Sequence, residues 1–344
     1  MLDIDISCPD GPGDTASLAA WLDRLPRERV ERLAIIGKVE GPATLNDYSR
    51  DLAQAATDQV VAKAGGNLSA RTFRMLSTGC EGIATPVTLM VARLADDRAA
   101  SGLAPIGLAV GVARSAPLPK FPRCGQGHVD AATGAVVDAI ADAGLSPEQV
   151  KLVLLKSPIL FPGSVPHDSG PLARHAGSTG SSRGAAAVGA GVALGEIERT
   201  ALGADPIGRQ DVHATRAMAF SGIEVDFVEV VVLGERSGGD PRYGIACVQL
   251  ADLLDSAGFA RLKDEAGANV DLVFFKAGIP ADGRLRGRRT TVLGSEWPAD
   301  KQLRAAASGL IAAHFSTTCA FISGGAEHQA PHGGCLAAAL YRRS

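Results

Sequence analysis

The sequence predicts an α/β fold built from three copies of one unit, and three observations carry that prediction. Short apolar runs ending in lysine recur at a near-constant interval. Each is followed by an Ala-rich stretch with arginine at its head. Each copy then reaches an apolar run that enters a Ser-Gly turn with glutamate behind it. Self-similarity at a fixed spacing is read before any single element, because overlooking it misassigns the whole fold.

The lysine runs are LAIIGK (33–38), LVLLK (152–156) and LVFFK (272–276). The intervals are 118 residues (38 to 156) and 120 residues (156 to 276), close to a third of the 344-residue chain. Each run is short, apolar or β-branched, and bounded by Gly or Pro, which is the pattern of a buried strand. The Ala-rich stretches are SRDLAQAATDQVVAKA from Ser49, SRGAAAVGAGVALGEI from Ser182 and LRAAASGLIAAHF from Leu303, headed by Arg50, Arg183 and Arg304. Each predicts a helix laid over one face of its sheet. The turns are MLSTGCEG from Met75, AFSGIEV from Ala219 and FISGGAEH from Phe321. Strands are expected after the first two, at IGLAVGVA (106–113) and FVEVVVLG (227–234), and the last copy ends in CLAAALYRR (335–343). Boundaries fall near 104, in SGLAP, and near 238, in the linker ERSGGDPRYG, giving units 1–104, 105–238 and 239–344. Three such units predict a pseudo-threefold axis at which the repeated polar residues meet.

Composition bounds the function. With 46% hydrophobic, 21% charged and 4% aromatic residues, the chain reads as a soluble globular protein of two or three domains. A net charge of −3 supplies no basic field for nucleic acid, and no run of 18 apolar residues predicts a membrane span. The expected partner is a small molecule. Cys8, Cys80, Cys124, Cys247, Cys319 and Cys335 form no CxxC pair, and MLDIDISCPD lacks an export pattern. Reduced thiols and a cytoplasmic location are therefore expected.

A lysine at the end of a buried strand is costly unless it is paired or functional. One copy could be a snorkelling side chain; three at one period call for a shared purpose. Desolvated beside other cations, such an amine loses proton affinity and can serve as base to a serine hydroxyl. Ser77, Ser221 and Ser323 each precede glycine by one or two residues, and glycine lets backbone N–H groups turn into a pocket toward a developing oxyanion. Glu81, Glu224 and Glu327 are read as orienting the lysines or the turns. Arginine at a helix start opposes the dipole, so its repetition points to clamping of carbonyl or anionic oxygens. Three such sets describe a pocket for a flat ring of alternating carbonyl and N–H groups, as in six-membered cyclic imides and ureides.

These residues resemble the family of cyanuric acid amidohydrolase and barbiturase, the ring-opening amidohydrolases. The matches are SCPDGPGDTASL, IIGKVEGPATLNDYSR, SRGAAAVGAGVALGE, GRLRGRRTTVL and SGGAEHQAPHGG, in that order over nearly the whole chain. The resemblance implies three units, each like a subunit of the trimeric YjgF-type proteins, in pseudo-threefold symmetry around a central barrel-like core. It also implies hydrolysis of a cyclic amide and a homotetramer. Carried over, Lys156 becomes the general base and Ser221 the nucleophile. Lys38, Arg50, Ser77, Thr78, Arg183, Gly222, Lys276, Arg304, Ser323 and Gly324 become ring-binding residues.

Two positions depart from the family pattern. The family turn reads Ser-x-Gly-x-Glu, kept from Ser77 to Glu81 and from Ser323 to Glu327. In the second copy a gapless reading puts Phe220 at the nucleophile position and Ser221 one residue late, and one residue on a strand reverses the face. Either the turn is re-registered, or Ser77 or Ser323 takes over, or the copy has lost its nucleophile and the chain only binds. The family also holds a structural cation near the C-terminus. Ala326, Gln329, Pro331 and Gly334 keep that loop, but Gly278 replaces the glutamate, which argues against a tight divalent site. No cofactor is expected to be required.

Three weaker signals are set aside. His328 and His332 stand at i and i+4, but Pro331 and the glycines make that segment a loop. GAGVALG lies inside the Ala-rich helix, so its glycines serve helix packing rather than a nucleotide. RLRGRRTTV is read as a solvated hairpin.

Overall fold

The computed structural model describes residues 1–42, 47–95, 105–166, 170–209, 211–294 and 296–343. Residues 43–46 of the matched motif IIGKVEGPATLNDYSR and 101–104 of the SGLAP junction lie outside these, and so does the first expected boundary.

Each unit runs strand, helix, strand, helix, strand, strand. The first contains β1 (Leu2–Ser7), α1 (Ala16–Arg24), β2 (Val30–Val39), α2 (Ser49–Ala64), the single turn α3 (Leu68–Arg71), β3 (Thr72–Thr78) and β4 (Val87–Leu94). The second contains β5 (Ile106–Arg114), α4 (Gln126–Ala143), β6 (Val150–Pro158), α5 (Thr179–Ala193), β7 (Ala217–Gly222) and β8 (Glu229–Ser237). The third contains β9 (Tyr243–Leu250), α6 (Ser256–Ala266), β10 (Val270–Ala277), the hairpin β11 (Arg284–Leu285) and β12 (Arg288–Arg289), α7 (Ala299–Phe315), β13 (Ala320–Gly324) and β14 (Cys335–Arg342). The sheets have one topology: β1-β4-β2-β3, β5-β8-β6-β7 and β9-β14-β10-β13. In each, the lysine strand lies parallel to the serine strand and antiparallel to the last.

Strand alternation divides the apolar residues between two faces. On the inner faces, Ile36, Met75, Leu154, Phe220, Phe274 and Phe321 join one core shared by all three sheets. On the outer faces, Leu33 and Ile35 pack under α1 and α2, Val153 and Leu155 under α4 and α5, and Val273 and Phe275 under α6 and α7. The central core is thus made by three sheet faces, and among the described residues no hydrogen-bonded ladder closes them into one barrel. In α5 the glycines serve packing as expected: a Cβ on Gly189 would stand 2.6 Å from Ala132 Cβ on α4.

Several local expectations change. The strand after the first turn is β4, and IGLAVGVA is β5, which opens the second sheet. Helices α5 and α7 begin at Thr179 and Ala299, so Arg183 and Arg304 lie one turn inside rather than at the head. The linker is tied down: Asp240 exchanges backbone hydrogen bonds with Leu108, and its carboxylate accepts from the Leu2 N–H at 2.8 Å. Cys8 and Cys319 form a disulfide, with Cα atoms 6.4 Å apart, between the first and third units, so this pair departs from the all-thiol expectation. The basic run forms the expected hairpin. No helix among the described residues is long and apolar enough to cross a membrane.

Candidate active site at the seams between units

The polar set of each unit sits where its lysine strand pairs with its serine strand. Lys38 faces Ser77, Lys276 faces Ser323, and Lys156 faces Phe220. All three lysines point inward from Ile36, Leu154 and Phe274 two residues earlier, and all are at most 3% exposed. Ser77, Phe220 and Ser323 share that inward face and are likewise buried.

The arginines come from the neighbouring unit. Arg50 of the first unit reaches Glu224 of the second at 2.7 Å. Arg183 of the second binds Glu327 of the third through two bonds of 2.9 and 2.8 Å. Arg304 of the third holds Glu81 of the first through Nε, and again through Nη2 at 2.7 Å. The pairing closes a ring, so each seam joins the lysine, turn and glutamate of one unit to the arginine of the unit before it. Planar guanidinium groups bind carboxylates in this two-pronged way. All three glutamates hold an arginine, which the sequence did not suggest, and Glu224 also contacts its lysine, Lys156, at 2.6 Å, as the sequence suggested. At Gly79 an added Cβ would stand 3.3 Å from Arg304 Nη2, and at Gly325 it would stand 2.2 Å from Arg183 Nη2. Those two glycines let a guanidinium lie directly over the turn.

Burial among cations lowers all three amines. Lys156 is pushed down to about 7 by burial, Arg50 and Lys38, with Glu229 opposing. Lys38 is pushed down to about 8 by burial and Arg304. Burial and Arg183 bring Lys276 well below the ordinary lysine range. Burial alone would raise the Glu327 carboxyl, but Arg183 and Lys276 outweigh it and bring it to about 2.

The hydrogen bonds differ from seam to seam. Lys38 Nζ donates to the Thr78 carbonyl at 2.8 Å. Lys276 Nζ donates to the Ala219 carbonyl at 2.7 Å and lies 3.0 Å from the Ser323 hydroxyl. Lys156 Nζ lies 2.6 Å from Glu224 and 3.4 Å from the Ser221 carbonyl oxygen. The structure does not bring the Ser221 hydroxyl to Lys156. Ser221 points to the opposite face of β7, where its Oγ donates to the Thr179 carbonyl at 3.1 Å. Of the readings the sequence left open, the gapless alignment describes the backbone, because the ladder runs unbroken from Val153–Ala217 to Pro158–Gly222. Gly222 and Gly324 follow on their turns, where added Cβ atoms would collide with Glu224 and with the Asp300 carbonyl.

A separate buried network lies behind β6 and had no sequence signal. His128 Nδ1 accepts from the Cys124 N–H, which leaves Nε2 to donate to Ser157 Oγ at 2.8 Å. A histidine that donates cannot activate that serine, and burial lowers its pKa to about 3.

The C-terminal loop does not fit the family cation. An added Cβ on Gly278 would lie 2.0 Å from the Gly334 carbonyl oxygen, so the missing carboxylate has no room to enter. Gln329 is fully buried, its Oε1 accepting from the Ala219 N–H at 2.7 Å and its Nε2 donating to the Glu327 carbonyl. Ala326 and Pro331 complete the turn: their carbonyls accept from the Gln329 and Gly334 N–H groups respectively. Among the described residues no three His, Cys, Asp or Glu side chains converge. A cavity of about 660 Å³ lies at the seam between the second and third units, lined by Arg183, Glu327 and Gly325 among others.

Buried strand-end amines and guanidinium clamps at the seams of three like units define a pseudo-threefold α/β protein with a polar site built between its units. A family model described as amidohydrolase ring-opening protein matches residues 6–342, and the chain belongs to that family. It is 32% identical to a cyanuric acid amidohydrolase of Bradyrhizobium diazoefficiens, over 97% of this chain and 96% of that one. It is 30% identical to a cyclic amide hydrolase of Azorhizobium caulinodans, over 96% of each. A solved structure of cyanuric acid hydrolase from A. caulinodans superposes with a TM-score of 0.88 at 30% identity, covering 100% of this chain and 99% of that one.

Proposed function

We propose that the chain opens a six-membered cyclic amide by hydrolysis, with cyanuric acid to carboxybiuret as the first reaction to test. The observation that carries this reading is the closed cycle Arg50–Glu224, Arg183–Glu327, Arg304–Glu81 around three buried lysines. A ring with three carbonyls related by threefold symmetry meets one amine and one guanidinium at each seam. The names of the relatives support the same substrate class.

In this reading Lys38, Lys156, Arg50, Arg183 and Arg304 hold ring oxygens, with Ser77, Thr78, Gly222 and Gly324 at the turns. Fixing the ring in place removes much of the entropic barrier to attack. A serine paired with a neutral lysine adds to a ring carbonyl, the ring C–N bond breaks, and water releases the open product. The turn N–H groups and the guanidinium groups stabilise the oxyanion. No step requires a metal.

One observation favours a second ring. Phe220 puts an apolar side chain where the other units carry serine. Barbiturate has a methylene in place of one ring N–H, and that edge suits an apolar wall; its product would be ureidomalonate. Loss of ring absorbance on a panel of cyanuric acid, barbituric acid and larger cyclic imides tests both. Binding without absorbance loss on any of them would make the chain a small-molecule binder. Light scattering tests the tetramer that the family resemblance implies.

A further inference from the structure

We infer that the nucleophile of this chain is Ser323, with Lys276 as its base, so that the reaction takes place at the seam between the second and third units. This rests on the ring-opening reading above and assigns that reaction's reacting groups.

Three geometric observations separate this pair from the other two. Ser323 Oγ lies 3.0 Å from Lys276 Nζ, whereas Lys38 donates to the Thr78 carbonyl and Lys156 faces a phenyl ring. A lysine acts as base only with a free lone pair aimed at the hydroxyl. Lys156 is in contact with a carboxylate, Glu224, at 2.6 Å, which favours its ammonium form. Among the described residues Lys276 makes no ion pair of that length, and Glu327, the acid of its seam, is engaged twice by Arg183.

Phe220 completes the environment of Lys276. Its ring lies 5.0 Å from Lys276 Nζ, and the preceding carbonyl, Ala219, takes one N–H of that amine. A carbonyl can only accept, so a neutral Lys276 bonded to it has its lone pair left for the Ser323 O–H. Phe220 therefore removes a hydroxyl from the second unit and walls the amine of the third with apolar surface. The 660 Å³ cavity borders this seam at Arg183 and Gly325, with the buried Ser323 and Lys276 behind its lining. Gly325, two residues beyond Ser323, lines it beneath Arg183.

The chemistry balances as follows. Ser323 Oγ forms a bond to a ring carbonyl carbon while its proton passes to Lys276 Nζ. The ring C–N bond breaks, and the leaving nitrogen takes that proton from the Lys276 ammonium. The acyl-enzyme then weighs as much as enzyme plus whole substrate. Water attacks the ester carbonyl and gives a proton to Lys276, and Ser323 Oγ recovers a proton as it leaves. The net change is addition of one water.

The test uses the full chain with cyanuric and barbituric acids. Rates are measured for wild type, Ser323→Ala, Ser77→Ala and Ser221→Ala, and acid-quenched wild type is digested and mapped by mass spectrometry. We expect Ser323→Ala to lower kcat by at least about a thousandfold, far more than either other serine variant, and the whole-substrate adduct to map to Ser323. Wild-type turnover with the adduct on Ser77 or Ser221, or with Ser323→Ala within tenfold of wild type, overturns the inference and leaves the proposed function standing. Wild type inert on every ring in the panel overturns both. The adduct map decides the matter even where Ser323→Ala fails to fold.

Discussion

Phe220 stands opposite Lys156 across the β6–β7 ladder, in the place where Lys38 meets Ser77 and Lys276 meets Ser323. The ring is 2% exposed, lies 5.1 Å from the Phe321 ring, and also faces Lys276 of the next unit. One side chain thus changes two seams, and the three sites that began as equivalents carry different chemistry.

Phe220→Ser should return a hydroxyl to Lys156 and strip the apolar wall from Lys276. Truncating a buried phenyl costs about 3–5 kcal/mol, so the urea midpoint should fall. The ratio of kcat/KM for cyanuric acid over barbituric acid should rise. An unchanged ratio would deny Phe220 a part in ring preference.

The pH profile follows from the buried amines. A base must be neutral, so kcat/KM should rise with pH along a limb set well below the ordinary lysine value of 10.5, because burial and Arg183 lower the Lys276 amine; Lys156 and Lys38 are lowered as well, to about 7 and about 8. Stability carries the same sign. In the unfolded chain these lysines hold their protons up to the ordinary value of 10.5, and the folded chain releases them earlier. The unfolded state therefore binds more protons across that window, and stability from these groups rises with pH. Urea titrations at pH 7 and pH 9 on wild type and Lys38→Met check this, the variant showing the flatter rise.

Arg304→Ala should destabilise more than Arg183→Ala. Arg304 and Glu81 have side chains 7% and 11% exposed, whereas Glu327 is 41% exposed. Removing one member of a buried pair leaves an uncompensated charge and costs about 3–5 kcal/mol. The Arg304→Ala/Glu81→Ala double variant should recover part of that loss, and chemical denaturation measures the coupling.

Chelator treatment should leave Tm unchanged, since the C-terminal loop is held by Gln329 and by close contact at Gly278. Gly278→Glu should lower Tm with or without added divalent ions. A rise in Tm with calcium or magnesium would restore the family cation to this loop.

The sequence by itself determined the lysine strands, the Ala-rich helices and the Ser-Gly turns, because those patterns are local and were written three times. It showed that the second turn is irregular and left two registers open, one of them with Phe220 in the serine position; the β6–β7 ladder chose between them. It did not disclose β1, β4 or β9, nor α1, α4 and α6, whose short patterns differ from unit to unit. Only the tertiary structure decided which glutamate each arginine meets, because those partners belong to different units and their pairing depends on how the units are ordered around the axis. The same holds for Cys8 with Cys319, 311 residues apart. Ser221 marks the limit most clearly: its identity as a serine beside a glycine was plain, but which way its hydroxyl points was fixed by the ladder between β6 and β7.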